Sequence, residues 1–207
     1  MYRSPANYYA MNFQRYLLNH QNPASQLIKR RVSKPCDVFI NHRGTDTKRT
    51  IATLLYDHLS WMNIRSFLDN KTMKPGDKLF DKIDSGIRGC KVGVAMFSPR
   101  YCESYFCLHE LALMIESKKK VIPIFCDIKP SQLRVERNAQ CSMEDIRRFS
   151  YALEEAKNTV GLTFDSSRGN LSEVVQNASD IIIHSLMEIE NEKQMQRQKT
   201  SNPFITK

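Results

Sequence analysis

Residues 92–115 read VGVAMFSPRYCESYFCLHELALMI. The first seven, VGVAMFS, form a short apolar run of strand length. A loop from Ser98 to Phe106 follows, and then the period changes. Leu108, Leu111, Ala112 and Ile115 recur at i, i+3, i+4 and i+7, enough apolar surface for one core-facing helical stripe. The opposite side should then be polar, yet Glu110 shares it with Phe106, Cys107, Leu113 and Met114. A strand followed by a helix with two apolar faces, one of them carrying a carboxylate, is the unit to be explained.

The same alternation extends in both directions. Further strand-like runs stand at DVFIN (37–41), IRSFLD (64–69), VIPIFCDI (121–128) and TVGLTFD (159–165). Between them lie helical periods: Ile51, Leu54, Leu55, Leu59 and Met62, then Leu79, Phe80, Ile83 and Ile87. Two more helices are expected at about 143–157 and at about 171–190, where Val174, Val175, Ile182, Leu186 and Ile189 fall. Nearly continuous apolar strands alternating with helices imply a parallel sheet covered on both faces. The expected fold is therefore α/β, a flavodoxin-like three-layer sandwich with a five-stranded parallel sheet in the order 2-1-3-4-5. Sheets wound in this way bind ligands beyond the carboxyl ends of the strands, where the winding reverses between the first and third. Those ends feed Asn41–Thr47 and Ser98–Phe106, so NHRGTDT and Glu110 are expected to face one crevice.

The 207 residues, 41% of them hydrophobic, suit one domain with a substantial core and some extra length. No run reaches the roughly 18–20 apolar residues needed to cross a bilayer, and the first residues lack the apolar core of a secretory signal. Cysteines 36, 90, 102, 107, 126 and 141 include no C-x-x-C pair, as expected of reduced thiols in the cytoplasm. The net charge of +9 is unevenly placed. Residues 1–34 contribute +6 and residues 191–207 contribute +3, leaving 35–190 neutral. The expected organisation is a flexible basic arm (1–34), one folded domain (35–190) and a basic tail (191–207). The arm also has the acid-free composition of an organelle transit peptide, and its KRR cluster that of a nuclear signal; a solvated tail is the plainer reading.

Several stretches together resemble one family. DVFINHRGTDTKRT is similar to the first strand and loop of plant Toll/interleukin receptor (TIR) domains, and FLDNKTMKPGDKL to their second-strand loop. SPRYCESYFCLHEL resembles the Ser-x-x-Tyr…Ser-x-x-Cys-Leu-x-Glu-Leu signature, VIPIFCDIKPSQLR the fourth strand, and RRFSYALEEAKNTVGLTF the later Ala-Leu…Gly-x-x-Phe segment. An ordered set of this kind over residues 36–134 is specific where each motif alone is not. Departures exist. His42 replaces the usual aromatic before Arg43, Phe106 and Phe149 stand where Trp is common, and residues 135–142 lack a Gly-Phe segment. No nucleotide-binding switch domain or leucine-rich repeat follows in this sequence, so a TIR-only protein is expected.

The resemblance implies a cytosolic NAD+ nucleosidase of plant immunity, with NAD+ as substrate, no cofactor and no metal. In NAD+ the leaving nicotinamide is already cationic, so no acid need protonate it. A carboxylate can stabilise the oxocarbenium-like ribose that remains. Glu110 is the catalytic candidate: apolar neighbours would exclude water and strengthen its field while raising its pKa. A lone helical Glu is otherwise usually a solvated residue, and the second apolar face would equally serve association. The candidate NAD+-binding residues are Arg43, Gly44, Thr45, Asp46, Thr47, Gly76, Phe106 and Cys107. Arg43 offers a planar fork to a pyrophosphate, and Gly44 lets the backbone approach closely. Phe106 suits stacking on a base or capping the core. The polar loop DNKTMKPGD, turning at Pro75-Gly76, suits a lid or a plain connection. Glu103 is a possible partner of Glu110. Cys107 corresponds to a cysteine associated in some plant TIR proteins with nucleic-acid-dependent cyclic-nucleotide synthesis, although a buried inert thiol is the default. Cys107-x-His109 lacks the second ligand pair that zinc requires.

The resemblance also implies self-association, with catalytic sites completed between protomers; Thr50–His58 and the last helix are candidate contacts. The products expected are nicotinamide with ADP-ribose or a cyclised form, and ATP is a candidate second nucleotide for a ribosyl-nucleotide signal. Two rivals remain open: a noncatalytic adaptor acting by TIR–TIR contact, and nucleic-acid binding through the basic tails, which salt would weaken steeply.

Overall fold

The structure, a computed structural model, describes residues 36–136 and 141–201. The basic arm at 1–34 lies outside the described residues. Five strands, β1 (Val38–His42), β2 (Ser66–Phe67), β3 (Val92–Phe97), β4 (Lys120–Cys126) and β5 (Leu162–Phe164), form one parallel sheet in the order β2-β1-β3-β4-β5. The expected topology is the observed one. The edge strands are shorter than their apolar runs: β2 keeps two residues because the chain turns into a one-turn helix at Asp69, and β5 starts only after the fully exposed Val160.

The connections are α1 (Gly44–Thr47), a wide turn at Lys48–Ala52, α2 (Thr53–Trp61), α3 (Asp69–Thr72) and α4 (Leu79–Gly89). They continue with α5 (Tyr105–Glu116), α6 (Met143–Lys157) and α7 (Leu171–Ser201). Because strand side chains alternate between faces, the buried strands feed two cores. Val38, Ile40, Val94, Met96 and Ile124 meet Leu55 and Leu59 of α2 and Ala178, Ile182 and Leu186 of α7. Phe39, Ala95, Phe97 and Phe125 meet Ile87 of α4, Leu111 of α5 and Phe149 of α6 on the other face.

Helix α7 passes the expected end at 190. Residues 191–201, rich in Glu, Lys, Gln, Met and Arg, are good helix formers, so the helix continues where the sequence pattern suggested a tail.

Helix α5 owes its two apolar faces to position. It packs on the sheet between α4 and α6, and Leu108, Leu111, Ala112, Leu113 and Met114 are all buried. Met114 lies over Gly93 of β3, where an added Cβ would fall 2.3 Å from its sulfur. Glycine is what admits the helix this close. Of the second face, Phe106, Cys107 and Glu110 reach the cleft described below while Leu113 and Met114 are buried in the core, so the expectation that this whole face walls a cleft holds for its first half alone.

Candidate functional site

Asn41, in the last turn of the pleat before β1 ends, is fully buried. Its amide donates to Glu110 Oε2 at 2.7 Å and to the Cys107 carbonyl at 3.1 Å. The fully buried Tyr101 places its hydroxyl against Asn41 Oδ1 and within 3.1 Å of the same carbonyl. Ser104 caps the start of α5 by accepting from the Cys107 amide at 3.3 Å. The acid is thus fixed by a polar cluster joining β1, the loop after β3 and the first turns of α5. Burial pushes the Glu110 carboxyl up to about 8, against the Asn41 hydrogen bond that favours its ionised form; Asp69 and Asp84 add to the rise.

Glu110 lines a cleft of about 420 Å³ at the carboxyl ends of β1 and β3, together with His42, Arg43, Gly44, Asp69, Phe106 and Cys107. That volume lies in the range of small-molecule sites. A cavity of similar size, about 460 Å³, lies beside the start of β4 at the opposite end of the sheet, where ligands of such folds are not held.

Arg43 Nε is buried without a hydrogen-bond partner, an open donor at the cleft wall. A Cβ on Gly44 would meet nothing within 4 Å, so the space beside this backbone is open. Phe106 is 40% exposed and tilted against Phe80 at a 5.3 Å centroid separation, which puts it at the mouth and not over the core. Thr45, Asp46, Thr47 and Gly76 do not line the cleft. Asp46 ties two loops together, accepting from Ser98 Oγ at 2.8 Å and Arg100 Nε at 2.9 Å. Burial works to raise its pKa, but these bonds and one from Thr45 outweigh it and hold the carboxyl below its usual value. Thr45 bonds to Asp46, Thr47 to His42 and the Arg43 carbonyl, and Gly76, at φ +96°, makes the turn between Lys74 and Asp77. The contribution of the second-strand loop to the cleft comes instead from Asp69 and Met73.

Glu103 is exposed and away from this cleft, so it is no partner of Glu110. Burial pushes the Cys107 thiol up to about 12, helped by the neighbouring Glu110; the thiol donates to the His42 carbonyl at 3.4 Å. It is a protonated packing group. Among the described residues there is no group of three or more His, Cys, Asp or Glu able to hold a metal. His109 is taken up between Asp84 at 3.2 Å and Arg148 at 3.1 Å, and Arg148 in turn holds Glu116, which ties α4, α5 and α6 together. Sequence reasoning placed Asn41 and His42 in the segment facing the crevice but gave them no role there, and it named neither Tyr101 nor Asp69 as a site residue. Asn41 at the end of an otherwise apolar strand was the one available signal.

A parallel sheet in this order, with an acid of α5 held at the switch point between β1 and β3, is the architecture of TIR domains. The TIR domain family profile matches residues 36–203, and the chain belongs to that family. It is 50% identical over 168 residues to the probable 2′ cyclic ADP-D-ribose synthase BdTIR of Brachypodium distachyon, covering 79% of this chain and 74% of that protein. It is 32% identical over 141 residues to the TMV resistance protein N of Nicotiana glutinosa, a match spanning 60% of this chain and 12% of that protein. Among solved structures, the TIR domains of the activated Roq1 resistosome directly recognizing the pathogen effector XopQ superpose with a TM-score of 0.62 at 27% identity. That match covers 71% of this chain and 99% of that one. Among the described residues no helix is long and apolar enough to cross a membrane.

Proposed function

We propose that this chain is an NAD+ nucleosidase of plant immunity that breaks the bond between nicotinamide and ribose at the Glu110 cleft. The observation that carries the reading is the placement of a single shielded carboxylate, anchored by Asn41, in a cleft that also presents the open Arg43 donor and the bare Gly44 backbone. As the C1′–N bond breaks, its electron pair passes to the pyridine nitrogen and neutralises it, while positive charge develops on the ribose. A carboxylate fixed beside that ribose stabilises the cation, and low local polarity strengthens the effect. The carboxyl must be ionised to act. A bound cationic nicotinamide favours that form, lowering the acid's pKa from its value in the empty cleft. Arg43 and the Gly44 backbone suit the pyrophosphate, and Phe106 at the mouth suits a base.

The likeness to a relative named as a cyclic ADP-ribose synthase supports this substrate, with ADP-ribose or a cyclised form as product. NAD+ is consumed, so the reaction as read needs no cofactor. The same reading takes the active form to be a self-associated one, for which the exposed Leu54 and Trp61 of α2 are apolar candidates. Six free cysteines fit a reducing compartment, the cytoplasm. The high pKa of Cys107 weighs against a second activity that depends on its thiolate.

The test is product identification. Purified protein incubated with NAD+, with and without ATP, should release nicotinamide in step with NAD+ loss, faster per chain as protein concentration rises. Absence of release at every concentration contradicts the proposal and favours the adaptor.

A further inference from the structure

We infer that Tyr101 is a positioning residue that holds the Asn41 amide donor-first toward Glu110 and so tunes the acid through Asn41, an inference resting on the NAD+-cleaving reading above. Tyr101 opens the single turn Tyr101–Glu103 after β3 and is fully buried, its ring edge-on to Phe97 at a 4.7 Å centroid separation. Its hydroxyl has one proton and two oxygens in reach, Asn41 Oδ1 and the Cys107 carbonyl, the latter at 3.1 Å. That carbonyl already accepts from Asn41 Nδ2 at 3.1 Å, and the same nitrogen donates to Glu110 Oε2 at 2.7 Å. Asn41 Oδ1 has the phenol alone as donor, so the network assigns the phenol proton to it.

A side-chain amide can be turned end for end. Turned, Asn41 would set Oδ1 against both the Cys107 carbonyl and Glu110, three acceptors together while the acid is ionised. With the acid protonated, the turned amide would accept its proton and favour the neutral form. The phenol opposes this turn in both states, because its proton needs an acceptor where Oδ1 stands. Burial pushes the Tyr101 hydroxyl well above its usual pKa, so that proton stays in place throughout the working range. Glu110 Oε2 is thereby committed to Asn41 whether or not the acid is charged, and Oε1 is left to carry the proton.

Tyr101→Phe removes one oxygen and keeps the ring against Phe97. Asn41 Oδ1 then loses its donor, and the amide's bond to the ionised acid weakens, so the carboxyl pKa rises. The midpoint of kcat/KM, near 8 in the wild type, should move up by about half a pH unit, about a threefold loss at pH 7. Near about pH 9.5, where the acid is ionised in both proteins, the loss should shrink to within about twofold.

The experiment is the pH profile of nicotinamide release by the wild type, Tyr101→Phe, Asn41→Ala and the double variant, with the Glu110 carboxyl carbon titrated alongside by NMR. The double variant should share the midpoint of Asn41→Ala, because Tyr101 acts through the amide. Replacing Tyr101 by 3-fluorotyrosine, a more acidic phenol and a stronger donor, should move the midpoint down. An unmoved midpoint in Tyr101→Phe, even with activity lowered evenly at every pH, overturns the inference, since that is what a merely structural role gives. A further shift in the double variant overturns it as well. Should Tyr101→Phe not fold, the fluorinated protein decides: a lowered midpoint supports the inference, and an unchanged or raised one overturns it. A wild type that releases no nicotinamide refutes the NAD+ reading itself. The carboxyl titration then decides the positioning by itself, a higher pKa in Tyr101→Phe supporting it and an equal one overturning it.

Discussion

The side-chain amide of Asn41 donates to Glu110 Oε2 at 2.7 Å, although the two residues stand 69 positions apart. The bond links the end of β1 to the second turn of α5 and gives the acid a fixed orientation. Asn41→Ala should destabilise the fold by about 1–3 kcal/mol, because buried polar partners lose their counterpart. It should also move the pH midpoint of activity upward, since a bond favouring the ionised acid is gone. Denaturant melts and pH–rate profiles check the two parts separately, and an unmoved midpoint would show that the bond does not tune the acid.

The pH dependence of activity follows from a carboxyl raised to about 8, chiefly by burial. In the free enzyme the active, ionised form gains population as pH rises, so kcat/KM should increase with a midpoint near 8. The midpoint of kcat should lie lower, because the bound cation favours ionisation. A kcat/KM flat between pH 6 and about 9 would be incompatible with this assignment.

Stability should run in the opposite direction. The folded state holds the proton more tightly than the unfolded chain, whose carboxyl lies near 4.5. The contribution is fully present below about 4.5 and is lost as pH rises through about 8. Glu110→Gln should flatten that slope. Unfolding free energies of both proteins across this window provide the comparison, and parallel slopes would exclude Glu110 as the source.

Asp46 joins the loops after β1 and β3 without lining the cleft. Asp46→Ala should cost about 1 kcal/mol, modest because Arg100 is largely exposed. By loosening the segment that carries Arg43 it should raise KM for NAD+ more than it lowers kcat. A change confined to kcat would instead place Asp46 in the chemistry.

Gly93→Ala drives a methyl to within 2.3 Å of the Met114 sulfur, so the Met114 side chain must repack or α5 must shift. The expected loss is about 1–3 kcal/mol, as for other overpacked cores. Activity should fall even where the protein remains folded, because the same helix carries Glu110. Thermal melts and NAD+ turnover at low temperature distinguish the two effects.

The strands and the central helices were legible because strand and helix periods are local; the sheet order came from the fold class those elements imply. VGVAMFS and the Leu108–Ile115 stripe each announce their element without reference to the rest of the chain. Glu110 was legible as an anomaly, an acid among apolar neighbours. What holds it was not, because Asn41 and Tyr101 reach it across the fold and neither spacing nor period encodes such a contact. Thr45, Asp46 and Thr47 stand in the right loop, yet their side chains serve its internal bonding, which a motif cannot distinguish from ligand contact. The shift from Gly76 to Asp69 and Met73 has the same origin: turn chemistry marks where the loop bends, not which residues it returns to the cleft. Helix α7 overran its expected end because exposed helix formers carry no apolar stripe.

The most direct test of the central claim is nicotinamide release from NAD+ by the wild type and by Glu110→Gln at equal concentration, with both shown to be folded. The isosteric amide keeps the shape and removes the charge. The account predicts release by the wild type and a loss of at least about a hundredfold in the variant, the scale of removing one preorganised electrostatic group. Equal release by the two proteins would contradict it.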